Sequence, residues 1–160
     1  MYLKSLYIEN FRKFMGQDNR IDFVYASDYT KDEKIDIAPK TTLLVGKNNS
    51  GKTTVVSALD KIINIKNFSS SDFNFNYLKK LLTLYTDDYL KQEVNEIELP
   101  TLSFKVVISM DTNQEDLLTN IMPFLSIGDV DENEITINIK WAVVDSTIFI
   151  NALKVFISQT

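Results

Sequence analysis

Hydrophobic and polar side chains alternate along two segments of the chain, residues 102–110 and residues 135–141. A period of two places the apolar side chains on one face, which predicts strands with one buried face. Such strands favour antiparallel pairing, because an antiparallel sheet can expose its other face to water. Apolar, aromatic and β-branched residues at 3–9 and 20–25 predict two further strands, joined by a connection that contains Gly16.

Helical spacing appears in residues 52–65 and 76–94. Each segment places its apolar residues on one helical face: Val55, Leu59, Ile62 and Ile63 in the first, and Leu78, Leu81, Leu82 and Tyr85 in the second. A Thr112-x-x-Glu115 capping box predicts a short helix that ends near Leu125. The apolar tail at 146–157 is compatible with a strand or a helix, so its structure stays open at this point.

A glycine-containing loop lies between an apolar run and the first predicted helix. The run Leu43-Leu44-Val45 predicts a strand over 41–45, and it leads directly into Gly46-Lys47-Asn48-Asn49-Ser50-Gly51-Lys52-Thr53. This segment matches G-x-x-x-x-G-K-[ST], the pattern of a phosphate-binding loop between a strand and a helix. The loop therefore predicts a nucleotide site.

The chemistry of a bound triphosphate explains each residue type in the loop. Gly46 and Gly51 lack the Cβ atoms that would keep the backbone N–H groups away from the phosphates. The helix N-terminus adds further N–H donors and a favourable dipole. Lys52 can reach the β- and γ-phosphates, and the Thr53 hydroxyl can ligate Mg²⁺. The predicted cofactors are ATP and Mg²⁺, and the predicted contacts are Gly46, Lys47, Asn48, Asn49, Ser50, Gly51, Lys52, Thr53 and Thr54.

The rest of the sequence argues against guanine specificity and leaves the catalytic residues unknown. None of the four glycines completes the D-x-x-G motif of a GTPase, and no N-K-x-D motif is present. Hydrolysis usually needs a strand that ends in Asp followed by Glu. Asp111 and Asp145 follow apolar runs but lack the Glu, while Asp32-Glu33 and Asp131-Glu132 follow polar residues.

Composition limits the chemistry further. The chain has 160 residues, 44% of them apolar, which is about one domain. It contains neither cysteine nor histidine, so disulfides and the commonest metal ligands are excluded. The net charge of −5 argues against strong nonspecific DNA binding by this segment alone. The start lacks a secretory signal and no apolar run approaches about 18 residues, so we expect a cytoplasmic location without a membrane span.

The loop and the first strand together resemble one group of ATPases. Leu6-Tyr7-Ile8-Glu9-Asn10-Phe11-Arg12-Lys13-Phe14 precedes the loop strand by roughly thirty residues. This combination resembles the amino terminus of ABC-type ATPases of the SMC and RecF-like group. Asn49 departs from the glycine usual in SMC proteins. The Asn-Asn-Ser-Gly-Lys-Thr form is more similar to the overcoming-lysogenization-defect (OLD) family ATP-dependent nucleases and to related AAA-type ATPases of bacterial defence systems.

The resemblance covers residues 1–65 closely and the remainder in outline. It implies a mixed α/β P-loop NTPase fold, an ABC-ATPase-like head with antiparallel strands at its N-terminus and again after the loop helix. Residues 1–160 are then the N-terminal portion of an ATPase domain, with the strands, loop and helix in 1–65 and a helical insert plus antiparallel strands in 66–160. We expect this portion to be incomplete, because the trans-acting signature and a second metal carboxylate are not visible.

The resemblance also implies partners and roles. Heads of this group dimerise with ATP between one phosphate loop and the partner's signature, so a homodimer of the full-length protein is expected. OLD-type proteins continue into a Toprim nuclease domain that cuts DNA, which makes DNA a candidate substrate. Asn48 would contact the γ-phosphate region. Arg12 matches a basic residue beside the nucleotide, although a solvated arginine in a turn explains it equally well.

Two other functions stay open. The chain could be a stand-alone nucleotide-binding module that regulates a partner without turnover. A small-molecule kinase is the weaker alternative, since the only arginines, Arg12 and Arg20, cannot form an arginine-rich lid. Whether the chain is part of an OLD-type ATPase or a stand-alone module, we expect it to bind Mg·ATP in isolation and to hydrolyse it poorly, because the trans-acting signature and the catalytic Glu are not visible.

Overall fold

The computed structural model describes residues 2–23, 42–91, 98–109 and 134–159. Within these ranges the chain is a mixed α/β structure with four strands and three α-helices. The strands are β1 (Tyr2–Glu9), β2 (Arg20–Asp22), β3 (Thr101–Ser109) and β4 (Glu134–Ala142), and the helices are α1 (Lys52–Ile63), α2 (Phe75–Lys91) and α3 (Ser146–Ser158). A short 3-10 helix, Ser70–Asp72, precedes α2.

The four strands form one sheet in the order β2-β1-β3-β4, and every neighbouring pair is antiparallel. Leu6 lies opposite Val106 across β1 and β3, and Phe104 lies opposite Ile139 across β3 and β4. The register of β1 shifts between Leu3 and Ser5, where the strand is irregular. The antiparallel pairing expected from the alternating sequence is thereby confirmed.

One buried cluster joins the sheet to α1 and α2. Phe11 and Phe104 lie at its centre, with ring centroids 5.2 Å apart in an edge-on arrangement. Phe68 packs against both rings, at 6.2 Å from Phe11 and 5.4 Å from Phe104. Such aromatic pairs add to the stabilisation that burial alone provides. The remaining members are Leu6, Ile8, Val55, Ala58, Phe73, Tyr77, Leu81, Tyr85, Leu102 and Val106.

The two predicted helices are present, with different details. α1 ends at Ile63 rather than 65, and α2 begins at Phe75. Among the residues of α2 whose burial is described, Tyr77, Leu81 and Tyr85 are buried, whereas Leu82 is 38% exposed. A spacing of four residues keeps those three side chains on one line of the helix. Leu82 lies off that line, so its assignment to the buried stripe was wrong.

The strand predicted over 41–45 is absent from the described residues 42–45. Leu43 and Val45 are 81% and 82% exposed, and only Leu44 packs partly against the core. A strand needs a neighbour to accept its backbone hydrogen bonds. In the part of the chain that the structure describes, none of the sheet strands pairs with this segment. The hydrophobic run alone was therefore not enough to define a strand.

Three further segments had sequence-based expectations: β2, the apolar tail and the segment after Thr112. β2 is shorter than the predicted 20–25, and Val24 and Tyr25 lie outside the described residues. The ambiguous tail is the helix α3, which packs Phe149, Leu153 and Ile157 partly against the core. The helix predicted from Thr112 lies outside the described residues, and the division at residue 65 stays a prediction.

Candidate functional site

The loop between Gly46 and Lys52 curls back on itself before α1 begins. The N–H of Ser50 donates to the Lys47 carbonyl at 3.2 Å, and Asn49 has a left-handed φ of +65°. Gly51 has a φ of +100° and precedes the first residue of α1. The first N–H groups of an α-helix have no partner inside the helix. The N-terminus of α1 thus lies at the surface, where an anion can approach it.

Lys52 is the central cation of this loop. Its Nζ atom donates to the carbonyls of Gly46 and Lys47, both at 2.6 Å. The side chain therefore reaches back across the loop instead of extending into solvent. These two hydrogen bonds hold the ammonium within the loop that precedes α1. The contact of Lys52 with a phosphate stays a prediction.

A cleft of about 280 Å³ opens beside the loop. The described part of its lining consists of one residue from the turn after β1 and seven consecutive residues of the loop and helix: Lys13, Asn48, Asn49, Ser50, Gly51, Lys52, Thr53 and Thr54. Gly46 and Lys47 contribute the carbonyls that hold Lys52. The structure therefore brings the predicted loop residues together around one space, which is large enough for phosphate groups. Their contacts with a nucleotide stay predictions.

The turn after β1 packs directly against the loop. Phe14 lies so close to Gly51 that a Cβ atom there would be 3.0 Å from the Phe14 ring atom Cζ. Only a glycine combines this close approach with the left-handed backbone. The aromatic side chain thus fixes the loop end against the end of β1.

Buried asparagines hold this turn in place. Asn10 has a φ of +55°, donates from Nδ2 to the Thr101 carbonyl at 3.2 Å and accepts from the N–H of Gly16 at 3.1 Å. Its own carbonyl accepts from the N–H of Asn74 at 2.8 Å. Buried polar groups are costly unless they are hydrogen-bonded, so each of these bonds favours one conformation of the turn.

Arg12 lies in the same turn with a left-handed φ of +47°. Its Nε and Nη2 atoms donate to Oδ1 of Asp72 at 3.0 and 2.9 Å. Lys61 of α1 places its Nζ atom 2.9 Å from Oδ2 of the same carboxylate. Burial opposes ionisation of Asp72, but hydrogen bonds from Lys61, the Ser69 N–H and Arg12 outweigh it and hold the pKa of this carboxyl below its ordinary value.

Sequence reasoning missed Asp72 and Lys13. The sequence around Asp72 gives no sign of its role, because that role depends on Arg12, 60 positions away, and on Lys61, 11 positions away. Lys13 appeared in the quoted strand end without a role. The structure places Lys13 on the cleft and ties two donors of Arg12 to Asp72. The predicted nucleotide contact of Arg12 stays a prediction.

Neither candidate metal carboxylate gains support from the geometry. The Asp145 side chain accepts from the N–H of Ile148 at 3.0 Å and so caps the N-terminus of α3. Asp111 lies outside the described residues, as do Asp32-Glu33 and Asp131-Glu132. Across the described ranges, no group of three or more carboxylates is placed to hold a metal ion. Within the loop, Thr53 is the residue that could contact Mg²⁺ through its hydroxyl.

Comparison with known proteins identifies the family. The chain belongs to the AAA ATPase domain family, whose profile matches residues 1–157. The chain is also 43% identical over 165 residues to Endonuclease GajA of Bacillus cereus (strain HuB5-5). That alignment covers 96% of this chain and 24% of the relative, so the chain spans about a quarter of the relative's length. No solved structure gives a significant match.

Membership of this family confirms the prediction that the chain is part of an ATPase. An ATPase of the AAA or ABC type uses a nucleotide and usually Mg²⁺. Among the described residues, no helix is both long enough and apolar enough to cross a membrane.

Proposed function

We propose that this chain is the ATP-binding N-terminal segment of an OLD-like ATPase that belongs to a DNA-cutting nuclease. The observation that carries the proposal is the position of Lys52, held at the N-terminus of α1 beside a cleft that the loop residues line. Membership of the AAA ATPase family and similarity to a protein named an endonuclease support it. The regulatory module without turnover is the less favoured alternative.

The residues of the cleft suit a magnesium nucleotide. Backbone N–H groups at the start of α1 and the Lys52 ammonium are donors for phosphate oxygens. The Thr53 hydroxyl would hold the metal ion, which supplies charge neutralisation at the phosphates. The Lys52 ammonium donates to two loop carbonyls. These carbonyls fix the lysine side chain within the loop, where phosphate oxygens can replace them as acceptors.

The remaining features belong to the whole protein. We propose that the full-length protein is a cytoplasmic homodimer with ATP held between two heads, and that a downstream Toprim domain cuts DNA. The described residues of this chain contain one phosphate loop and no carboxylate cluster that could hold metal ions for cleavage. On this proposal the segment binds the nucleotide, and the remainder of the protein acts on DNA.

The test uses the intact protein that carries this chain, with plasmid DNA and Mg²⁺. We expect ATP to change the cleavage rate of the wild-type protein and to leave the rate of the Lys52→Ala variant unchanged. Lys66→Ala is the matched control. Lys66 lies beyond the end of α1, pairs with Asp60 of that helix and is not among the described residues that line the cleft. Loss of the ATP effect in the control, or an unchanged ATP effect in the Lys52 variant, would contradict the proposal.

A further inference from the structure

We propose that Lys13 is a second cationic ligand of the nucleotide phosphates, contributed by the turn after β1. The inference rests on the proposed nucleotide site and adds a residue that lies outside the loop motif. Among the described residues that line the cleft, Lys13 is the one that does not come from the loop or α1. Two lysines from two separate segments then face the same space, Lys13 and Lys52.

The backbone of the turn directs two adjacent cations to different places. The Arg12 N–H donates to the Asp72 carbonyl at 2.7 Å, and the Arg12 carbonyl accepts from Nδ2 of Asn74 at 2.7 Å. The guanidinium also binds Asp72. Arg12 is thus held from its backbone to its side-chain end on the segment that precedes α2, and the next residue, Lys13, lies on the cleft.

The backbone is held in place before and after Lys13, by the contacts of Arg12 and of Phe14. After Lys13, the N–H of Phe14 donates to the Phe11 carbonyl at 2.9 Å, and the Phe14 ring contacts Gly51. A lysine has a flexible four-carbon stem that carries a compact charge, so a fixed backbone still lets the ammonium follow a phosphate. Arg12 lacks this freedom because its planar group already binds a carboxylate with two hydrogen bonds.

The electrostatics of the cleft point to the same role. No carboxylate belongs to the described lining, although the whole chain carries a net charge of −5. Within the described ranges, no hydrogen bond or ion pair joins the Lys13 side chain to an acidic group, in contrast to Lys61 and Lys66. A concave surface with two ammonium groups and helix N–H donors concentrates positive potential where an anion would bind.

The test is a titration of the intact protein with Mg·ATP, for the wild type and the variants Lys13→Gln, Lys13→Arg, Arg12→Gln, Lys52→Ala and Lys80→Gln. Lys80→Gln is the charge-matched control, since Lys80 is an exposed residue of α2. Loss of one charge-assisted hydrogen bond predicts that Lys13→Gln raises the Kd about tenfold. Lys13→Arg should keep most of the affinity, and Lys80→Gln should match the wild type.

Stability measurements separate the two cations of the turn. Without nucleotide, Lys13→Gln should have the wild-type Tm, whereas Arg12→Gln should have a lower Tm because it loses the Asp72 pair. Wild-type affinity in Lys13→Gln together with lost binding in Lys52→Ala would overturn the Lys13 assignment and leave the nucleotide site standing. A lowered Tm in Lys13→Gln would also overturn it, since the residue would then be structural. Failure of the wild type to bind Mg·ATP would refute the proposed function itself.

Discussion

Arg12 donates two hydrogen bonds to a single carboxylate oxygen of Asp72, from Nε at 3.0 Å and from Nη2 at 2.9 Å. The Asp72 side chain is only 2% exposed, while that of Arg12 is 40% exposed. Because Lys61 binds the second oxygen, one carboxylate connects the end of β1, the segment before α2 and the loop helix α1. Elements that surround the candidate nucleotide site therefore depend on one buried charge.

Replacing Asp72 with Asn should destabilise the protein by about 2–4 kcal/mol, because two cations lose the charge that compensates their desolvation. Urea unfolding at pH 7 measures the change. Asp60→Asn is the control, since Asp60 and Lys66 form an exposed pair at 2.6 Å. We expect little or no change there. Equal effects of the two substitutions would contradict a special role for the buried carboxylate.

The pH dependence of unfolding gives the same site a second test. Because the pKa of Asp72 is lowered in the folded state, its contribution to stability is present above the unfolded pKa of about 3.9. That contribution is lost as the pH falls through the lower folded pKa. The difference in stability between the wild type and Asp72→Asn should therefore shrink below about pH 4. A difference that stays constant down to the acid transition would show that charge is not the cause.

Gly51 should be sensitive to a single added methyl group. Its φ of +100° disfavours any L side chain, and the new Cβ would meet Phe14 Cζ at 3.0 Å. We expect Gly51→Ala to cost about 2–3 kcal/mol of stability and to weaken nucleotide binding. Gly16→Ala is the matched control, since Gly16 has a φ of +76° with no atom near the added Cβ.

The control should lose only the backbone part of this cost, about 1–2 kcal/mol, and should bind nucleotide like the wild type. Chemical denaturation and nucleotide titration of both variants measure the two effects. If the variants were equally destabilised, the contact between Phe14 and the loop would contribute nothing.

Tyr85 provides a prediction at alkaline pH. Burial, together with the charges of Tyr77 and Glu98, raises the pKa of Tyr85 to about 12, and its hydroxyl donates to the Glu98 carbonyl. An unfolded tyrosine ionises near pH 10, so up to about 2–3 kcal/mol of stability should be lost between pH 10 and 12. Tyr85→Phe should cost about 1 kcal/mol at pH 7 and lose less on alkalinisation. Parallel alkaline slopes for the two proteins would contradict this account.

The parts of the site that the sequence predicted are local in the chain. Gly46 to Thr53 and the helix after them are defined by residue types at fixed spacing, because the phosphate-binding geometry is made by consecutive backbone groups. The Asp145 cap was also visible in principle, since Asp directly before an apolar helical segment is an N-cap signal. The apolar residues at 146–157 obscure that signal, because their density is compatible with a strand as well as a helix.

The parts that the sequence did not predict depend on contacts between distant segments. Asp72 has its role only because the fold brings it to Arg12 and Lys61. Lys13 lies on the cleft only because Phe14, the next residue, packs on Gly51. The strand expected at 41–45 was predicted from local sequence but does not form in the described residues 42–45. Its apolar run is a real pattern, but a strand also requires a neighbouring strand, and the sequence of the run does not say whether one is there.

Thermal or chemical unfolding with and without Mg·ATP tests the central claim most directly. At a nucleotide concentration of about 100 times the Kd, the wild type should gain about 2.7 kcal/mol of stability. Asp145→Ala should lose about 1 kcal/mol from the α3 cap yet keep the full gain from nucleotide. Lys52→Ala should gain nothing. A gain in Lys52→Ala equal to that of the wild type would contradict the assignment of the nucleotide site to this loop.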